Sequence, residues 1–166
     1  MQLQEFFEYK NTLIEDLLTN KSIVELLNES VSLDKAEKLV YKQVFPYEYI
    51  PETVEQGKTF VCIDVDISRS LNKTFLLPTL FVWVFTHKSK LRLSEGGVRT
   101  DKLCSEISKV INGSRKYGLG ELELMGVKRF APITDFQGKV MTFSATEFNR
   151  LYDPHKPVVS NRKTGV

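Results

Sequence analysis

Thr59-Phe60-Val61-Cys62-Ile63-Asp64-Val65-Asp66-Ile67-Ser68 is the stretch that decides the fold. Val61, Ile63, Val65 and Ile67 alternate with Cys62, Asp64, Asp66 and Ser68, and a period of two marks a strand with one buried face. The polar segment Arg69-Ser70-Leu71-Asn72-Lys73 reads as a hairpin loop into Phe75–Thr86. That second run is apolar on both faces, with Leu80, Val82 and Val84 opposite Phe81, Trp83 and Phe85, which predicts a central strand covered on both sides. Beyond the Gly96-Gly97 loop, Arg99-Thr100-Asp101 leads into a helix whose apolar stripe is Leu103, Ile107, Val110 and Ile111. Thr100 or Asp101 is predicted to cap it, and Asn112-Gly113 to stop it. Glu121–Phe130 and Lys139–Phe148 are predicted as a second strand pair, joined by a turn at Asp135-Phe136-Gln137-Gly138. Gly126 inside the third strand points to a bulge or a close backbone approach.

Upstream, Leu3, Phe6, Phe7, Leu13, Ile14, Leu17 and Leu18 fall mostly at three- and four-residue steps, the pattern of an amphipathic helix. Thr19-Asn20-Lys21 breaks it. Ser22 before Ile23-Val24-Glu25 has capping-box spacing and predicts a short second helix to about Asn28. Ser32 or Asp34 is placed to cap one more turn through Leu39. From Tyr41 to Glu55, Pro46 and Pro51 exclude a helix interior. The aromatics Tyr41, Phe45, Tyr47 and Tyr49 predict an ordered loop pinned to the sheet, with a partner-facing aromatic patch as the other reading. From Leu151 onward, Pro154, Pro157, Ser160, Asn161 and Gly165 predict a polar, flexible arm that cannot bury enough surface to fold alone.

The expected architecture is therefore one α+β domain over 1–150, its helical part over 1–40, and an arm over 151–166. It has a four-stranded, mainly antiparallel sheet, a central helix packed on one face, and N-terminal helices. A chain of 166 residues with 42% hydrophobic side chains, including 11 phenylalanines and 6 tyrosines, suffices for a real core. Its 23 basic and 21 acidic side chains leave +2, so bulk charge does not indicate a nucleic-acid binder. The tail is the uneven part, with Arg150, Lys156, Arg162 and Lys163 against Asp153. Met1-Gln2-Leu3-Gln4-Glu5 lacks the basic and apolar regions of a signal peptide, and the apolar run around Leu76–Phe85 is too short for a bilayer. No membrane partner is expected, and a cytoplasmic location is the default.

Reactive signatures are sparse. Asp64 and Asp66 share a strand face and could hold a magnesium ion for phosphoryl chemistry, but no Gly-rich loop opens a helix to receive the phosphate. The plainer reading leaves both carboxylates in solvent. His87 stands alone past the central strand, and no Gly-x-Ser-x-Gly elbow occurs for a nucleophilic serine. Cys62 and Cys104 read as small buried thiols. Gly113-Ser114-Arg115-Lys116-Tyr117-Gly118-Leu119-Gly120 follows a helix rather than opening one, so it reads as a connecting loop. Arg99 beside Asp101 is either a helix-start ion pair or a subunit contact. No catalytic, cofactor or metal residue is expected.

Several stretches resemble the tail-terminator and neck proteins of long-tailed phages and prophages of Gram-positive bacteria. They are Phe45-Pro46-Tyr47-Glu48-Tyr49-Ile50-Pro51, Phe85-Thr86-His87, Arg99-Thr100-Asp101-Lys102-Leu103, and Met141-Thr142-Phe143 followed by Glu147-Phe148-Asn149-Arg150. The similarity runs from about Tyr41 to Arg150 and rests on structural motifs. It implies a virion protein without enzymatic activity or cofactor, assembled in the host cytoplasm. It further implies a hexameric ring that caps the tail tube and meets a head-completion or connector protein, with DNA passing through the lumen unread. Contacts with neighbouring subunits or partners are expected at Tyr47, Tyr49, Arg99, Asp101, Arg150, Lys156, Arg162 and Lys163.

Overall fold

A computed structural model describes residues 5–52, 57–70 and 74–148. Two helices open the chain, α1 at Glu5–Thr19 and α2 at Lys21–Leu27, followed by a 3-10 helix at Leu33–Leu39. The strands are β1 (Val44–Phe45), β2 (Thr59–Ser70), β3 (Phe75–His87), β4 (Glu123–Phe130), β5 (Phe136–Ser144) and β6 (Glu147–Phe148), with α3 (Arg99–Ile111) between β3 and β4. The sheet runs β1-β2-β3-β5-β4, and β6 pairs with β3 beyond the end of β5.

The four long strands are the expected ones, but among the described residues the sheet has six. Val44–Phe45 pairs in parallel with Val61–Cys62, while every other strand pair is antiparallel. The segment read only as a loop thus supplies an edge strand, cut to two residues by Pro46, which has no amide to continue the ladder. Pro78 interrupts the amide row of β3, and the pairing there shifts by one residue on β2, between Ile67 and Arg69. The second hairpin turns earlier than expected. Phe136 already pairs with His87 in β5, so the turn is Ala131–Asp135 rather than Asp135–Gly138. Gly138 sits opposite Phe85, where a Cβ would collide with the Val84 carbonyl oxygen and the Phe85 backbone. A glycine inside a strand here answers a close approach. The bulge suggested by Gly126 is present, as a register shift between Leu124 and Gly126.

All three α-helices lie on one face of the sheet. Val61, Ile63 and Val65 of β2, Leu80, Val82 and Val84 of β3, and Met141 and Phe143 of β5 meet Leu103, Ile107 and Ile111 of α3 in one core. Leu13, Ile14, Leu17 and Leu18 of α1 and Ile23, Val24, Leu26 and Leu27 of α2 complete it. Burying that many aliphatic side chains, each contributing roughly 1.5–3 kcal/mol, is what holds the layer together. Among the described residues the opposite face is sealed only at one end, where Phe45, Phe60, Phe85 and Phe136 cluster with Tyr49, Trp83, Phe130 and Ile133. Phe45 stacks on Tyr49 at 4.1 Å between ring centroids, so that loop is pinned to the sheet as expected.

Helix ends differ from the sequence reading. Asn20, not Ser22, caps α2, its side chain accepting from the amides of Ser22 and Ile23. α3 starts one residue before the expected caps: Val98 holds the cap position without a side-chain bond. Arg99 replaces a cap as the anchor. Its Nη1 donates to the Leu26 carbonyl, its Nε to the Lys90 carbonyl, and its Nη2 to Glu29, each at 2.9 Å. At the other end Asn112 ends the helix and Gly113 turns with φ 76, as expected.

Candidate interaction surface

β4 is an outer strand of the sheet, and it is only partly covered. Its first residues are tied down by the end of α3: the Gly113 amide donates to the Leu122 carbonyl, and the Leu124 amide donates to Asn112 Oδ1 at 2.8 Å. From there outward the strand lies open. Met125 is 65% exposed, Val127 45% and Leu124 36%. Leu124 and Val127 pair with Phe143 and Met141, so they point to the helix side of the sheet. There they line a groove of about 560 Å³ with Cys104, Ser108 and Met141, bridged by the Lys139–Asp101 ion pair at 2.9 Å. That pair raises the Lys139 ammonium pKa above its usual value, through the hydrogen bond to Asp101. Met125 borders a second groove on the opposite side, about 490 Å³, with Leu77, Glu121, Glu123 and Ser144. This outer strand thus carries exposed apolar side chains toward both faces of the sheet.

The face away from the helices adds to this surface. Leu77, Thr79, Phe81 and Trp83 of β3 and Val140, Thr142 and Ser144 of β5 are half-buried. Phe81 and Trp83 stack at 5.6 Å. The expectation that β3 is covered on both sides therefore holds on the helix side and is corrected on the other. Segment 45–51 reaches only the far end of that face, and among the described residues half of it has no cover.

The residues singled out from the sequence are scattered by the fold. Tyr47, at 45% exposure, stands near Tyr41, at 63%, with centroids 6.4 Å apart, while Tyr49 is half-buried against Phe45. Arg99 does not pair with Asp101. It is 7% exposed and held inside the subunit, and its guanidinium keeps Glu29 below the usual carboxylate range. Asp101 faces the first groove through Lys139. Arg150, Lys156, Arg162 and Lys163, with the whole arm, lie outside the described residues. Asp64 accepts from Lys10 Nζ at 3.1 Å and from the Val65 amide, and Asp66 is exposed. Among the described residues no group of three or more His, Cys, Asp and Glu side chains is placed to hold a metal. His87 is buried, with Nδ1 2.8 Å from Ser89 Oγ. Burial pushes both Cys62 and Cys104 up to about 12.

Sequence reasoning missed the exposed trio on β4. Its signal was there: Glu121-Leu122-Glu123-Leu124 alternates, then Met125-Gly126-Val127 breaks the period before Lys128-Arg129. A strand whose alternation fails at a glycine has a bulge, which here returns Val127 to the same face as Leu124.

Fold and surface together define an α+β domain whose sheet is mixed and, among the described residues, partly open on the face away from the helices. Among the described residues no helix is long and apolar enough to cross a membrane. The chain belongs to the YomW family, whose model matches residues 12–145. The family name derives from a Bacillus prophage region, which makes the protein phage-associated. No curated protein matches the chain.

Proposed function

We propose that this chain is a structural component of a phage particle, a tail terminator that forms a hexameric ring on the tail tube and joins it to the head-completion complex. The observation that supports the reading is the sheet left open among the described residues: exposed Leu124, Met125 and Val127 on β4 and the half-buried Phe81–Trp83 face. A subunit that leaves such apolar surface uncovered completes it against other protein, and closed rings do so with identical copies. The phage association of the family agrees with this setting. Near-neutral charge suits a partner made of protein, with DNA crossing the lumen unread.

Another neck component, a connector or stopper, uses the same surface and is the second reading. A metal-dependent phosphodiesterase at Asp64 and Asp66 has less support, because Lys10 already neutralises Asp64. Light scattering of the purified chain, alone and with tail tube protein, separates these. A terminator runs several times heavier than 19.1 kDa and binds tube ends. A ring that ignores tubes but binds a head-completion protein selects the other neck component. Divalent-ion-dependent DNA cleavage, lost on Asp64→Ala with Asp66→Ala, would replace both.

A further inference from the structure

The face of the sheet away from the helices carries a row that runs straight across it. Asp66 of β2 is opposite Thr79 of β3, Thr79 is opposite Ser144 of β5, and Ser144 is opposite Glu123 of β4. The row therefore has a carboxylate at each margin. Both are exposed, and among the described residues neither is paired with a cation. Asp64, one row further, is already held by Lys10, and Lys128 stands two rows off, level with Trp83. Between the margins lie half-buried Leu77, Thr79, Phe81 and Trp83 beside Val140, Thr142 and Ser144. Acidic rims around a largely apolar floor suit a cationic segment that also carries apolar side chains.

The chain itself supplies one. The described residues end at Phe148, which pairs with Phe75 at the head of β3, on the margin of this face. Residues 149–166, outside the described ones, bring Arg150, Lys156, Arg162 and Lys163 against Asp153, together with Leu151, Tyr152, Val158 and Val159. Pro154 and Pro157 carry no amide. A segment laid over a sheet cannot bond to a ladder already in use, so a chain with fewer amides costs less to bury there.

We propose that residues 151–166 of each chain fold back over its own sheet, with Arg162 and Lys163 reaching the carboxylates at the two margins. β6 runs antiparallel to β3 and so leads away from the face. Asp153-Pro154, five residues on, is a turn signal. A return of equal length brings Val158-Val159 level with Phe75, and four residues more bring Arg162-Lys163 level with Thr79. Successive side chains of an extended segment point to opposite sides, which lets one cation turn to Asp66 and the other to Glu123. Strands about 4.8 Å apart put each margin about 7 Å from the midline, within the span of a long basic side chain. Val166 then comes level with the Phe81–Trp83 stack. Exposed ion pairs each contribute little, so they set the register. Apolar contact supplies the rest, helped by a tether that acts as an effective concentration in the millimolar range. Leu124 and Val127 point to the helix side and stay outside this cover, so the surface they offer to other subunits remains.

Trp83 is the chain's single tryptophan, so its fluorescence reads the cover directly. Removing 151–166 should shift its emission to the red and raise its quenching by acrylamide. Arg162→Glu with Lys163→Glu should do the same, and so should Asp66→Lys with Glu123→Lys, both at exposed positions. All four reversals together restore opposite charges and should return the shielding. Urea unfolding checks that each variant keeps its domain. Trp83 equally exposed, or equally shielded, with and without the arm overturns the proposal, and so does a fourfold variant that fails to recover. A mixture tests for a neighbour's arm. Chains lacking 151–166 are refolded together with full-length Trp83→Phe chains, so that all the emission comes from the shortened ones. That emission should stay exposed, and shielding regained in the mixture assigns the cover to a second copy and overturns the fold-back. Sedimentation of the same samples reports the ring separately. A ring with an unshielded Trp83 sinks the fold-back alone, and a 19.1-kDa monomer with a shielded Trp83 sinks the ring alone.

Discussion

Arg99 is a buried charged side chain that joins separate parts of the fold. It ties the start of α3 to the last turn of α2 and to the turn after β3. Arg99→Ala leaves the Leu26 and Lys90 carbonyls without their donor, and unsatisfied buried acceptors cost about 1–3 kcal/mol each. Urea denaturation should show that loss, and Arg99→Lys should recover little of it, because an ammonium cannot span three acceptors in one plane. The same residue sets part of the acid response. Glu29, Glu95 and Asp135 are all held below their usual values, by Arg99, Lys102 and Lys88 in turn. Depressed carboxylates stabilise the fold above their usual range, and the stabilisation is lost as pH falls through the folded values. For Glu29 the loss sets in below 4.5. All three are solvent-facing, so the slope is shallow and flattens further in salt, and Arg99→Ala should remove the Glu29 share of it. Cys62 and Cys104, with thiols pushed to about 12, should resist a thiol reagent at pH 8 and react only at the rate of unfolding. Prompt labelling of the native protein would contradict their burial.

At the scale of elements, local period was readable and long-range pairing was not. The stripe Leu103, Ile107, Ile111 becomes a helix with those three side chains fully buried, because a 3.6-residue period has one solution. Alternation in β2 was equally legible. β1 was not: two residues before a proline have no period, and a parallel pair leaves no turn to announce it. The cap of α3 was missed because a buried arginine reaching a carbonyl 73 residues away leaves no local trace. The start of β5 was misplaced because Phe136-Gln137-Gly138 reads as a turn, while in the fold Gly138 makes room for Phe85. Gly138→Ala forces a methyl group into the Val84 carbonyl and should cost about 1–3 kcal/mol in thermal or urea unfolding. A wild-type melting point in that variant would show that β3 and β5 can separate at this position without penalty.

For the molecule as a whole, the candidate surface was half legible. Tyr47 was singled out and is exposed, but Arg99 was drawn inward, and the apolar centre of β4 emerged only with the register. Sequence charge alone cannot say which of two flanking strands is the outer one. The order β1-β2-β3-β5-β4 decides it, and it has a further result for synthesis. β3 and β4 both run antiparallel to β5, hence parallel to each other, with α3 crossing from one to the other and β5 slotted between them. A nascent chain that has reached Phe130 holds two strands separated by a vacancy one strand wide, roughly 10 Å across from strand to strand. Neither can bond to the other. On the ribosome the β3-β5-β4 half of the sheet therefore waits for Phe136–Ser144, and the exposed side chains of β4 have no fixed place until that last long strand has been inserted.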